Sequence, residues 1–184
     1  SRGAVREALR YLAGEGVVEL LPNKGARVVR LSRDRMIHTL ELVSGIYRIG
    51  LESFAQKPVS TAAKRDLKAA LDRLKTVTGT RDTLAIAECM LAYHETIARH
   101  CGNPVYVEFL RRLHFRHYLK QAAMEEHIED QLLASKAYVE VNRHLLKGDA
   151  VGAYNCLLPH IRRATQNIRA NAAADTGTNP DQKY

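Results

Sequence analysis

The chain is 184 residues long, 46% hydrophobic and formally +8 at pH 7, so it can bury a sizeable core and its charge favours an anionic partner. No apolar run approaches the roughly 20 residues that span a bilayer, and the opening residues carry no signal-peptide h-region, so a soluble, cytoplasmic protein with no membrane partner is expected. Cys89, Cys101 and Cys156 are odd in number and lack CxxC pairing, which points to buried, reduced thiols.

Along the chain, Val5, Ala8, Leu9 and Leu12 recur at the three- and four-residue steps of one helical face, with Ser1 as N-cap and Gly16 as terminator. Arg2, Arg6 and Arg10 fall four apart elsewhere on that helix, and side chains at that spacing form one stripe. Val17–Leu21 and Ala26–Leu31 are short β-branched and apolar runs around Pro22-Asn23-Lys24-Gly25, a turn that tolerates positive φ. A tight hairpin with Lys24 near its tip is therefore predicted.

From Ser32 onward the pattern is helix after helix. Ser32 caps a long helix that stops at Lys57-Pro58, Ser60 caps a second that ends near Thr78-Gly79, and Asp82 caps a third that ends at Gly102-Asn103. Pro104 opens a fourth, with Val107, Leu110, Leu113 and Leu119 on it, and a fifth runs from about Ile128 to Lys147 before Gly148. Asp149 caps the last, which passes through Pro159 to about Asn171. The stretch 172–184 is polar and aperiodic and is expected to be disordered. The fold class is mostly α, an N-terminal helix and hairpin over 1–31 followed by an all-α antiparallel bundle of about six helices over 32–171.

The arginine stripe alone is as well explained by a solvated helix face as by a nucleic-acid surface. The hairpin that follows it shifts the balance to DNA, because guanidinium fits both phosphates and guanine edges. The stretch Ser1–Leu31, with SRGAVREAL, then YLAGEGVVELL and a glycine-bearing turn, closely resembles the back half of the winged helix-turn-helix in GntR-family transcription regulators. That resemblance implies that Arg2 and Arg6, with Arg10 on the same stripe, meet bases or adjacent phosphates. It also implies that Gly3 approaches the DNA backbone, and that Lys24 and Gly25 enter the minor groove. Gly3-Ala4 stand where many members have Thr-Pro, so a hydroxyl contact to phosphate is lost. The helices that precede the recognition helix in a complete motif are not in this sequence, and the chain is read as a fragment of a longer regulator.

The helical body resembles the FCD effector-binding domain of the FadR subfamily, through LESFA, AYHETIARHCGNP and HLLKGDAVGAYNCLLPHI. The resemblance implies a pocket, often floored by a divalent metal on one Asp and three His, in which small carboxylates bind. Carried over residue by residue, His94 and His160 match two of the histidines, Met90 stands at the aspartate position and Tyr138 at the remaining histidine. A thioether and a neutral phenol are poor ligands for zinc or manganese. No cofactor is therefore expected beyond a weak Zn, Mn or Ni site on His94 and His160. The effector set is Arg48, Met90, His94, Tyr138 and His160, and the expected ligand is a small carboxylate or related polar metabolite held directly. An exposed helix position or a salt bridge is an equal alternative for Arg48. A mid-helix Pro159 frees a carbonyl near residue 155 and would redirect His160.

No catalytic constellation is present. His94 and His100 lie six apart, on different faces, and Ala98 occupies the position a zinc-protease helix would need. His114 and His117 sit among Arg111, Arg112, Arg116 and Lys120, whose charge repels a cation. The expected function is a non-enzymatic, homodimeric, ligand-responsive regulator of an inverted-repeat operator. The alternatives are an α-helical metal-dependent hydrolase using His94 and His160, or a domain that only dimerises.

Overall fold

In the computed structural model the described residues are 1–14, 16–112, 120–124 and 127–176. The N-terminal helix α1 spans Arg2–Gly14, and Ser1 Oγ accepts from the Ala4 amide. It ends where Gly16 takes a positive φ of 72° and the Gly16 and Val17 amides turn back to Ala13 and Leu12, the closure for which glycine is suited. Strands β1 (Val18–Leu21) and β2 (Gly25–Val28) pair antiparallel in the register Val18↔Val28 to Leu21↔Gly25. Asn23 (φ 58°) and Gly25 (φ 90°) supply the left-handed geometry of the turn. β2 is shorter than the apolar run Ala26–Leu31 suggests: the Val29 amide still donates to the Val17 carbonyl, but the Val29 carbonyl and the Leu31 amide bond the Gln121 side chain and not β1.

The body contains α2 (Arg33–Ala55), α3 (Thr61–Thr78), α4 (Thr83–His100), α5 (Pro104–Arg112), α6 (Ile128–Leu146) and α7 (Ala150–Thr176), with a helical stretch at 120–123. The sequence-predicted caps hold: Ser32, Ser60 and Asp82 accept from the amides of Arg35, Ala63 and Ala85. Asp149 likewise accepts from Gly152, so each of these helix starts satisfies a backbone donor that would otherwise lose its partner. α7 continues uninterrupted through Pro159 and runs on to Thr176, past the expected end at Asn171. Ala172, Ala173 and Ala174, strong helix formers, follow with no Gly or Pro to end the helix. Leu113, Leu119, the His114/His117 stripe and the tail residues 177–184 lie outside the described residues.

α7 packs along α2 and α6, and α3 packs against α4. On α2 the buried positions Met36, Ile37, Leu40, Val43, Tyr47, Leu51 and Phe54 form the single inward stripe that helical periodicity dictates. Gly50 marks the crossing of α2 and α5, where a Cβ would run into the Tyr106 ring. The main core joins α2, α3, α4, α6 and α7 through residues such as Leu67, Leu74, Ile86, Ile97 and Val141. A second cluster, Leu31, Met36, Ile37, Leu40, Ala122, Ala164 and Ile168, fastens the root of the N-terminal helix and hairpin, together the head, to the bundle. Of the cysteines, Cys101 is buried but Cys89 and Cys156 are only partly so, because they lie at the margin of the main core.

Leu67→Ala, at a site with 0% exposure, is expected to lower unfolding free energy by about 2–5 kcal/mol. Leu84→Ala, at a 40% exposed position, is expected to change it by no more than about 0.5 kcal/mol. Urea denaturation of both variants checks the assignment of the core.

Candidate functional site

Four helices and the 120–123 stretch converge on an interior cavity of about 60 Å³, space for about four waters. α2 supplies Leu40, Val43 and Tyr47, whose three- and four-residue spacing puts them on one face, and α4 supplies Met90, Leu91 and His94 on the same logic. Tyr138 enters from α6, His160 from α7, and Ala122 and Ala123 close one wall. The sequence-predicted residues Met90, His94, Tyr138 and His160 are thus brought together.

Within the cavity His94 Nε2 and the Tyr138 hydroxyl are 2.8 Å apart. The Tyr47 ring stacks on the imidazole at 3.5 Å with 6° between planes, and Tyr93 and Tyr138 meet it edge-on. The ring is therefore held on a face and along its edges, and its orientation is set before any ligand arrives. Burial pulls His94 down from an ordinary 6.5 to about 3, with nearby His160 acting in the same direction. Burial also pulls His160 down to about 4; Arg163 adds to that and Asp130 opposes it. Both imidazoles are neutral at physiological pH because a charged ring would forfeit its hydration in an apolar enclosure. Burial likewise pushes the Tyr47 phenol up, reinforced by Tyr138, Tyr106 and Glu95.

Arg48 is not part of this cavity. Its side chain is 59% exposed and pairs with Glu52 one turn along α2 at 2.8 Å, with its guanidinium 5.9 Å from the Tyr154 ring centre. The neighbouring Tyr47 is the residue that faces inward. One position along a helix rotates a side chain by about 100°, so the resemblance identified the right segment and the wrong neighbour. The continuation of the Leu40/Val43 stripe is the signal that would have found Tyr47.

The donors do not fit the metal seat that the resemblance implies. Its aspartate is the thioether of Met90, one histidine is the phenol of Tyr138, and that phenol engages His94 Nε2. Among the described residues no three His, Cys, Asp or Glu side chains stand close enough to hold a metal ion.

In the head, Arg2, Arg6 and Arg10 are all exposed along α1. Lys24 is exposed at the hairpin tip beside Gly25, whose φ of 90° favours glycine. Gly3 is exposed, and a Cβ there would meet only ordinary contact with Ser1. α1 buries none of its residues: Val5 and Tyr11 are 60% and 66% exposed. Gln121, which sequence reasoning missed, connects head and cavity. Its Oε1 accepts from the Leu31 amide at 2.9 Å and its Nε2 donates to the Val29 carbonyl at 3.1 Å. The next two residues, Ala122 and Ala123, are cavity wall, and Gln131 Nε2 donates to the Ala123 carbonyl.

As pH falls below about 6.5 the unfolded chain takes up protons on both histidines that the folded chain refuses. Stability should accordingly be full above that pH and drop by about 1.4 kcal/mol per pH unit for each imidazole as pH falls, a loss that continues to about pH 4 for His160 and about 3 for His94. Urea unfolding between pH 6.5 and 5 should show the slope, and His94→Gln should reduce it by one imidazole's share.

Three comparisons bear on this architecture. The FCD domain family profile matches residues 47–163. No curated protein matches the sequence. Among solved structures, E. coli McbR/YncC superposes with a TM-score of 0.78 at 15% identity, over 94% of this chain and 82% of that one. A putative transcriptional regulator GntR from Rhodococcus sp. RHA1 gives 0.73 at 17% identity, over 92% and 81%. Lar, which controls the expression of the Listeria monocytogenes agr system, gives 0.70 at 16% identity, over 92% and 80%. No helix among the described residues is long and apolar enough to cross a membrane. The family profile spans well over half of the chain, and the N-terminal helix, hairpin and helical body share the fold of those solved structures: the protein belongs to the FCD domain family.

Proposed function

We propose that the protein is a cytoplasmic, homodimeric transcription regulator in which a small molecule in the helical cavity adjusts how the head meets operator DNA. The observation that carries this reading is Gln121. One side chain fixes both the carbonyl of Val29 and the amide of Leu31, and so holds the exit of the hairpin against the segment that walls the cavity. Leu31 itself packs with Leu40, Ala122 and Ala164, all three of which also line the cavity. A ligand that pushes on Ala122 or Leu40 therefore acts on the root of the head through direct contact. Packed interiors transmit such displacements because they have no slack to absorb them.

In this reading Arg2, Gly3, Arg6 and Arg10 approach the major groove while Lys24 and Gly25 approach the minor groove. Two-fold operators call for a two-fold protein, and the two heads read an inverted repeat. DNA and effector affinities are then linked, each changing the other by the same factor. The hydrolase alternative lacks support in the cavity, where the described lining offers no carboxylate to act as general base.

Selection from a pool of random duplexes should recover an inverted repeat whose binding weakens steeply with salt. Arg6→Ala should lower discrimination at the contacted base by about 1–3 kcal/mol, read by anisotropy on matched and mismatched duplexes. Loss of affinity without loss of discrimination would restrict Arg6 to phosphate. Gln121→Leu should speed hydrogen exchange at the Leu31 amide by about fivefold to tenfold, as expected when one part-buried hydrogen bond is lost.

A further inference from the structure

The cavity lining is uncharged throughout the described residues, and the resemblance-based expectation of a carboxylate ligand does not follow from it. We propose that this cavity receives an electrically neutral small molecule, a compact apolar body carrying one carbonyl, amide or hydroxyl group, and discriminates against carboxylates. The proposal deepens the sensing role argued above and rests on it.

Charge is the first ground. A carboxylate moved into this space gives up its hydration and meets no cation among the described lining residues, which ordinarily excludes the ion or forces its protonation. Arg48 and Arg163, on two of the helices that line the cavity, each face a carboxylate. Arg48 lies on the outer face of α2 with Glu52, and Arg163, the cation that acts on His160, is 3.5 Å from Asp130.

Hydrogen-bonding chemistry is the second ground. A neutral imidazole and a phenol each combine donor and acceptor capacity. The His94–Tyr138 pair, joined at 2.8 Å, can reverse the sense of its bond by a change of tautomer and so answer either a carbonyl or a hydroxyl. Tyr47, stacked at 3.5 Å, keeps the imidazole from rotating away. Size is the third ground. The cavity holds about 60 Å³, well below the roughly 150 Å³ that accommodates benzene in an apolar core. Apolar walls with a few placed polar groups are the usual composition of a small-molecule site.

Acetamide and acetate test the inference, since they share a four-heavy-atom skeleton and differ in charge. Each is titrated into the protein at pH 7 while the imidazole resonances of His94 and His160 are followed by NMR, with acetone and propan-2-ol as further neutral probes. At least one neutral probe should shift both resonances saturably, and acetate should bind about tenfold or more weakly. Ala87→Leu, which fills the cavity from a partly exposed wall position, should abolish the neutral-probe shifts. Acetate binding as tightly as acetamide would overturn the charge inference and leave the sensing role intact. Failure of every probe to shift either resonance would overturn both. Neutral-probe shifts that survive Ala87→Leu would place the binding elsewhere and overturn the cavity assignment.

Discussion

Two imidazoles sit buried in a largely apolar wall that solvates their charged forms far less well than bulk water does, and this desolvation sets what can surround them. His94 and His160 remain neutral across the physiological range, so neither attracts an anion as a cation would. The residues that replace the family's metal ligands agree with that state. A carboxylate at position 90 would place a charge beside His94, raise its pKa and call for a cation. Met90 does neither. With Tyr138 on the imidazole nitrogen and Tyr47 stacked on its face, the site is organised around a neutral hydrogen-bonding group in an apolar frame.

The same packing gives the head its footing. α1 buries none of its residues, and the hairpin is a two-stranded sheet, a size that is marginal without further contacts. Its attachment to the body depends on Leu31 entering the cluster with Ala122 and Ala164 and on the two hydrogen bonds of Gln121. Because Leu40, Ala122 and Ala164 belong both to that cluster and to the cavity wall, the cavity and the root of the hairpin are about one residue apart. No long relay of side chains is required.

Much of this was legible in the sequence, for reasons that can be named. Helix starts were visible because Ser32, Ser60, Asp82 and Asp149 each precede an apolar period and can accept a backbone proton, and helix ends because Gly16 and Gly148 reach positive φ. Met90, His94, Tyr138 and His160 were found as a set because the resemblance fixes their positions. Arg48 was misplaced because motif alignment to within one residue does not determine a helix face, whereas the Leu40/Val43/Tyr47 stripe does. The end of β2 and the role of Gln121 were not legible, since a bond spanning 90 residues leaves no local trace in either segment. α7 outran its prediction because the expected end followed apolar periodicity, whereas high helix propensity continues over Ala172, Ala173 and Ala174.

A double-mutant cycle on DNA affinity tests the link between cavity and head most directly, using Ala87→Leu to fill the cavity and Gln121→Leu to release the hairpin exit. Binding of both single variants, the double variant and the parent to a selected duplex is measured at one salt concentration. The account predicts that filling the cavity changes DNA affinity in the parent and has little effect once Gln121 is gone, a coupling of about 1 kcal/mol or more. Additive effects, or no effect of filling the cavity in either background, would contradict it.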